Sequence, residues 1–331
     1  MGVSTHDIFG KAKGAQPATP GSYGQPPKGY RLPDALRLGA VQLQIADLAR
    51  SVDYYQKTLG LQVVDRNAKR ADLAPLGTST PLVVLHEQKG ARAAPRRGRL
   101  GLFHFAILIP DRPSLGRFVR HLGDIGAQAG AADHLVSEAF YLQDPDNLGI
   151  EIYADRPRTS WRRVDRELMM ATDPIDVPAL VAAAGDTKWS GMPAGTTMGH
   201  LHLHVGDLAD AAAFYSEALG FDRTVWEYPG ALFMGAGGYH HHLGNNLWAG
   251  SGAVAPSADD AQLLEWTMEF PDVASRELGV ESLERAGHKL ERQEGSMVAK
   301  DPWGTKVRIP PALGVLPAGG ELVPHGRPGH I

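Results

Sequence analysis

The chain repeats itself, and only one copy of the repeat carries histidines. Residues 38–63 read LGAVQLQIADLARSVDYYQKTLGLQV, and residues 198–223 read MGHLHLHVGDLADAAAFYSEALGFDR. Asp47 aligns with Asp207, Leu48 with Leu208, Tyr55 with Tyr215, and Leu59-Gly60 with Leu219-Gly220, all at an offset of 160 residues. A duplication this regular requires a fold built from equivalent units. Within it, Ala40 and Gln42 align with His200 and His202. The shared positions describe scaffold, so the differing ones direct the search for chemistry.

A fainter repeat runs between these copies. HFAILIPD at 104–111 aligns with EWTMEFPD at 265–272, and DPDNLGIEI at 144–152 aligns with DPWGTKVRI at 301–309. The chain therefore contains four modules, near 38–90, 101–156, 197–250 and 262–312. Each opens on a strand of alternating apolar residues, such as Val41, Leu43 and Ile45, or Leu201, Leu203 and Val205. An Asp-Leu turn and an amphipathic helix follow, the first helix ending at Gly60 in C-cap position. Three short strands complete the unit. The expectation is an α+β chain of four βαβββ modules.

Around these modules the composition changes. Residues 1–35 are rich in Gly, Pro, Gln and Ser and read as a flexible N-terminal arm without its own core. Residues 36–156 form a first tandem domain of modules one and two. Residues 157–195 are a connector with helical periodicity around Ile175–Ala184. Residues 196–312 form a second tandem domain of modules three and four, and 313–331 a C-terminal tail. The 331 residues include no cysteine, which excludes disulfides, thiolate metal sites and Cys nucleophiles and fits a cytoplasmic protein. No run of about 18 apolar residues predicts a membrane span, and no basic stretch followed by an apolar one predicts a signal peptide. A net charge of −4 without a basic block argues against nucleic acid as the partner.

The phrase GHLHLHVGDL…AAAFYSEALGF resembles the first strand and helix of the vicinal-oxygen-chelate superfamily, which includes glyoxalase I, bleomycin-resistance proteins and extradiol dioxygenases. LFHFAILIPDR, SEAFYLQDPDNLGIEIYADRPR, MGHLHLHVGDL and GGYHHHLGNNLWAG more closely resemble the bacterial catechol-2,3-dioxygenases with two tandem domains. The resemblance covers roughly residues 36–310. It implies that the four modules form two vicinal-oxygen-chelate barrels.

It also implies a metal site. Non-haem Fe(II) oxygenases use two imidazoles and one carboxylate on one face of the metal, leaving positions open for substrate and O2. His104, Glu151 and His200 have the right identity and place for that set. A single histidine on a strand is more often a packing residue. Glu151 carries more weight, because in GIEIY it lies on the strand face opposite Ile150 and Ile152 and needs a partner or a metal. Modules one and two give Ala40, His104 and Glu151, while modules three and four give His200, Glu265 and Arg308. Neither consecutive pair is complete, whereas modules two and three together are. Inner and outer modules pair in some tandem members of this superfamily, so the resemblance implies that the inner modules share one metal-binding barrel and the outer modules form a structural one. Donation of ligands from two chains is the competing arrangement.

In HHHLG, the resemblance places His241 as the histidine that moves protons at the site, with His240 beside it. Strand alternation would put His241 on the face opposite His240 and His242. Tyr141, ten residues before Glu151, matches a tyrosine that holds substrate oxygens. His134 lies about two residues off a second histidine of that family. His202 and His204 share a face with His200 by alternation and are candidates for contact with ligand or substrate. His86-Glu87 matches a glyoxalase-type ligand position, but with Ala40 opposite it is expected to hold no metal.

The expected function is extradiol cleavage of a catechol-type ring with O2, at Fe(II), with Mn(II) fitting the same ligands. The expected partners are a small aromatic diol and O2, with assembly as a homo-oligomer left open. A glyoxalase-type isomerase or lyase, which would want a second carboxylate ligand, and a non-catalytic binding protein of the bleomycin-resistance type, which typically lacks the metal set, are the alternatives.

Overall fold

A computed structural model describes residues 14–312; the expected tail and the first part of the arm lie outside the described residues. All four modules have the expected order. Their opening strands are Arg37–Ile45, Gly101–Leu108, Thr197–His204 and Gln262–Glu269. A helix follows each, and then three strands, the last of which returns parallel to the opening strand of its own module. The turn between strand and helix repeats as well. Asp47, Asp111, Asp207 and Asp272 each sit at a helix N-cap and accept backbone N–H groups of the first turn. At the far end, Gly60 and Gly220 have φ of 72° and 99°. A side chain at Gly60 would meet the Gly191 backbone at 2.7 Å, and one at Gly220 would meet the Tyr30 ring at 2.9 Å. Glycine is needed there twice over, for the left-handed cap and for the close approach.

The modules pair out of sequence order. The opening strand of module two runs antiparallel to that of module three, with His104 opposite His202 and Ala106 opposite His200. The opening strand of module one runs antiparallel to that of module four, with Gln42 opposite Glu265. Between the two pairs, the modules-one and -three strands are joined in antiparallel register at Leu38 and Met198. The inner and outer barrels are thus each built from both tandem halves within one chain. Both antiparallel pairs carry register shifts, after Met198 and His202 in the inner one and after Leu263 and Trp266 in the outer one. Such bulges re-aim side chains and break strict alternation.

The core fills the space between sheet and helices, with Tyr55, Phe105, Phe118, Tyr215 and Trp266 fully buried. From Gly14 onward, the arm departs from the expected flexible segment. Gln16–Pro17 pair with Arg162–Arg163 of the connector, Tyr23 donates to the Gly238 carbonyl at 2.6 Å, and Arg31 forks onto Asp222. Tyr23 and Leu32 are buried. The Gly- and Pro-rich composition lacks a core of its own, but its few large apolar residues enter one supplied by the modules. Tyr23 joins Trp161, Met170, Phe233 and Tyr239 in a satellite cluster. In the connector, the helix expected around Ile175–Ala184 spans Val177–Ala183. No described helix is long and apolar enough to cross a membrane.

Candidate metal centre

His104 comes from the opening strand of module two, Glu151 from the last strand of the same module, and His200 from the opening strand of module three. All three are buried. Glu151 Oε2 lies 2.9 Å from His104 Nε2 and 3.1 Å from His200 Nε2. Donors held at right angles about 2.1 Å from one ion stand about 3 Å apart, so the spacing suits a facial set. His104 Nε2 makes no hydrogen bond of acceptable geometry despite its burial, and His200 Nδ1 and His202 Nε2 are also without partners. A buried polar atom left unpaired costs about 1–3 kcal/mol. Two neutral imidazoles and one carboxylate are the donor chemistry of a divalent transition metal. These residues therefore fit such an ion.

The electrostatics agree with that donor set. Burial alone would push the Glu151 carboxyl up, but the adjacent His200 and His104 outweigh it and hold the group well below its usual range. Burial pushes His200 down to about 4 against the opposing pull of Glu151. His202 and His241 are pushed well below the usual histidine range, first by burial and then by their histidine neighbours. Neutral imidazoles are the form that coordinates metals and accepts protons.

Beside the triad opens a cavity of about 230 Å³. His134, Tyr141, His202 and His241 line it together with the triad, as do Phe103, Phe233 and Trp248. The His241 ring packs tilted against that of His200, with centroids 4.1 Å apart. His134 Nδ1 donates to the Ala171 carbonyl at 2.5 Å, and its Nε2 lies 2.5 Å from the Tyr141 hydroxyl. Burial, and then the Glu151 charge, push the Tyr141 phenol well above its usual range.

Other expected residues stand elsewhere. His240 lies behind His241, away from the cavity, hydrogen-bonded to Asp155 and to His241 Nδ1. The run 240–242 belongs to the turn joining strands Ala231–Gly235 and Leu243–Asn246, so the alternation argument does not apply to it. His242 turns back to accept the Ala236 N–H. His204, expected on the face of His200, bonds Asn246 at 2.7 Å and lies outside this cavity, because the register shift after His202 interrupts the alternation. His86 bonds Gln42 in the outer barrel.

Sequence reasoning missed much of the cavity wall. Met170, Ala171 and Thr172 come from the connector, and Tyr228 from the loop after strand Asp222–Val225. No spacing signals these residues. The Phe103-His104 pair and the exposed Trp248 were the available hints, as large aromatics at a site mouth.

The family described as glyoxalase/bleomycin resistance protein/dioxygenase superfamily matches residues 37–152 and 197–309. The chain is 43% identical over 269 residues to a catechol-2,3-dioxygenase of Bacillus subtilis (strain 168), covering 80% of this chain and 93% of that protein. Its fold is similar to that of a candidate dioxygenase from Bacillus subtilis subsp. subtilis str. 168, with a TM-score of 0.59 at 12% identity over 86% of this chain and 87% of that one. It is also similar to glyoxalase I from Zea mays, with a TM-score of 0.50 at 20% identity over 83% and 92%.

Proposed function

The chain belongs to the glyoxalase/bleomycin resistance protein/dioxygenase superfamily, and from that premise we propose that it is an extradiol dioxygenase that opens catechol-type rings with O2 at one Fe(II) site. The observation that carries this reading is the convergence of His104, Glu151 and His200 on one buried point at the floor of an apolar cavity. A metal held there by His104, Glu151 and His200 would supply Lewis acidity for deprotonation of the diol and for activation of O2. Mn(II) suits the same ligands.

The protein's own groups divide the remaining work. With His134 Nδ1–H committed to the Ala171 carbonyl, its Nε2 accepts the Tyr141 hydroxyl, leaving the Tyr141 oxygen lone pairs for a diol hydroxyl. His241 and its neighbour His202 are kept neutral by burial, so each offers an acceptor to a proton leaving the ring. Phe103, Phe233, Trp248 and Met170 close round a flat apolar ring and exclude water. Among the described residues no Lys or Arg lines the cavity, so a carboxylated diol would be buried there without a counter-charge. The substrate is therefore an uncharged catechol, bare or with an apolar substituent. Among the described residues Glu151 is the one carboxylate lining the cavity, which weighs against an isomerase needing two.

The test is an anaerobic titration of the Fe(II)-loaded protein with catechol, followed by admission of O2. A bound diol spectrum, then one O2 consumed per coloured ring-opened semialdehyde, is expected. Binding without O2 uptake would reject the dioxygenase reading.

A further inference from the structure

One strand aims three residues at successive layers of the site. Glu151, Tyr153 and Asp155 share a face of strand Gly149–Asp155. Glu151 meets the two candidate ligand histidines. The Tyr153 hydroxyl meets that of Tyr239 at 2.6 Å, and the Tyr239 hydroxyl donates to Asp155 Oδ1 at 3.2 Å. Asp155 Oδ1 also lies 3.0 Å from His240 Nε2. His240 Nδ1 in turn lies 2.7 Å from His241 Nδ1. The chain Asp155–His240–His241 thus runs from a carboxylate 28% exposed, through a fully buried imidazole, to a ring on the cavity wall.

Donor and acceptor counting then assigns the protons. An ionised carboxylate only accepts, so His240 Nε2 carries a hydrogen. A neutral imidazole has one N–H, and here Asp155 takes it. His240 Nδ1 must therefore accept, and His241 Nδ1 must donate. The remaining nitrogen of His241, Nε2, bears a lone pair. The rings of Tyr153, Trp161 and Tyr239 enclose His240, and the proton assignment is that of its neutral form.

We propose that Asp155 is a positioning residue which, through His240, holds His241 with its proton on Nδ1 and its Nε2 lone pair available to the cavity. A buried carboxylate that sets an imidazole's tautomer from behind is a known way to fix which nitrogen does the chemistry. Here an intervening imidazole transmits the constraint. With the reverse tautomer, His241 would present an N–H to a diol and could not take its proton. The catalytic consequence rests on the proposed role of His241, but the tautomer itself can be read without turnover.

The experiment records long-range 15N–1H correlations of the imidazoles in metal-free protein near neutral pH, with His241 assigned from the signals lost in His241→Phe. The wild type is expected to show a protonated Nδ1 and a bare Nε2. Asp155→Ala is expected to move His241 toward the Nε2–H form. In the Fe(II)-loaded variant, kcat should fall about tenfold or more while iron content and KM stay within about twofold, and Asp155→Glu should recover most of the loss. A protonated Nε2 on wild-type His241 overturns the proposal even if the variant fails to fold, and so does an unchanged tautomer in Asp155→Ala. Full turnover by His241→Phe alongside the expected tautomer would instead reject the role of His241 in the proposed function.

Discussion

The inner and outer barrels are the same structure with opposite side-chain logic. Both are built from antiparallel opening strands, parallel returning strands and matched register shifts. By the repeat, the positions of His104, Glu151 and His200 are held in the outer barrel by Glu265, Arg308 and Ala40. There Arg308 forks onto Glu265, Gln42 donates to Glu265, and His86 bonds the Gln42 side-chain oxygen. That network closes on itself. In the inner barrel, His104 Nε2, His200 Nδ1 and His202 Nε2 are buried without hydrogen bonds. The difference separates two uses of buried polar groups. A network with every member satisfied serves the fold, whereas a convergent set with unmet donors is built for something else to complete.

Removing a ligand is the hardest test of the contrast. We expect His104→Ala or Glu151→Ala to abolish ring cleavage and most metal binding, since one of three protein ligands is lost. Wild-type protein should hold about one metal per chain. Metal analysis and O2 uptake check both, and two tightly held ions per chain would erase the distinction between barrels.

His241→Phe should keep iron and diol binding while turnover falls about 10²–10⁴-fold, the range of a lost acid–base group. Iron loss in this variant would make His241 a ligand.

In the outer barrel the expected phenotype is reversed. Glu265→Ala leaves the Arg308 guanidinium largely buried without its carboxylate and should cost about 3–5 kcal/mol of stability. Metal content and kcat per folded molecule should persist. Chemical denaturation and iron assay on the same sample separate the two effects.

The smallest expected effect is on acid stability. Burial pushes His242 down to about 3, against 6.5 when exposed. Between those values the unfolded chain binds a proton that the folded one refuses, so stability is lost as pH falls through that window. His242→Asn, whose Oδ1 can still accept the Ala236 N–H, should reduce the stability lost between pH 7 and pH 4.5 by more than ~1 kcal/mol. Urea titrations of metal-free protein near pH 7 and 4.5 would show the same loss of stability in wild type and variant if His242 is not the responsible group.

Local patterns were legible because local physics sets them. The Asp caps, the glycine stops and the period-two strands each act within a few residues, and the fourfold repeat let each module check the others. At the histidine turn, His241 lines the cavity while His240 and His242 do not, as expected, but not through strand alternation, because residues 240–242 lie outside a regular strand. His204 failed for a related reason, a register shift that only pairing with module two reveals.

The sequence by itself determined four βαβββ modules and the short list from which a metal set could be drawn, because chemistry-bearing residues interrupt an otherwise shared scaffold. Tertiary structure decided which modules pair, and hence that His104, Glu151 and His200 meet within one chain. It also decided that the connector walls the cavity and that Asp155 stands behind His240. Those relations join residues far apart in sequence, and the packing that brings them together leaves no periodic trace in any one segment.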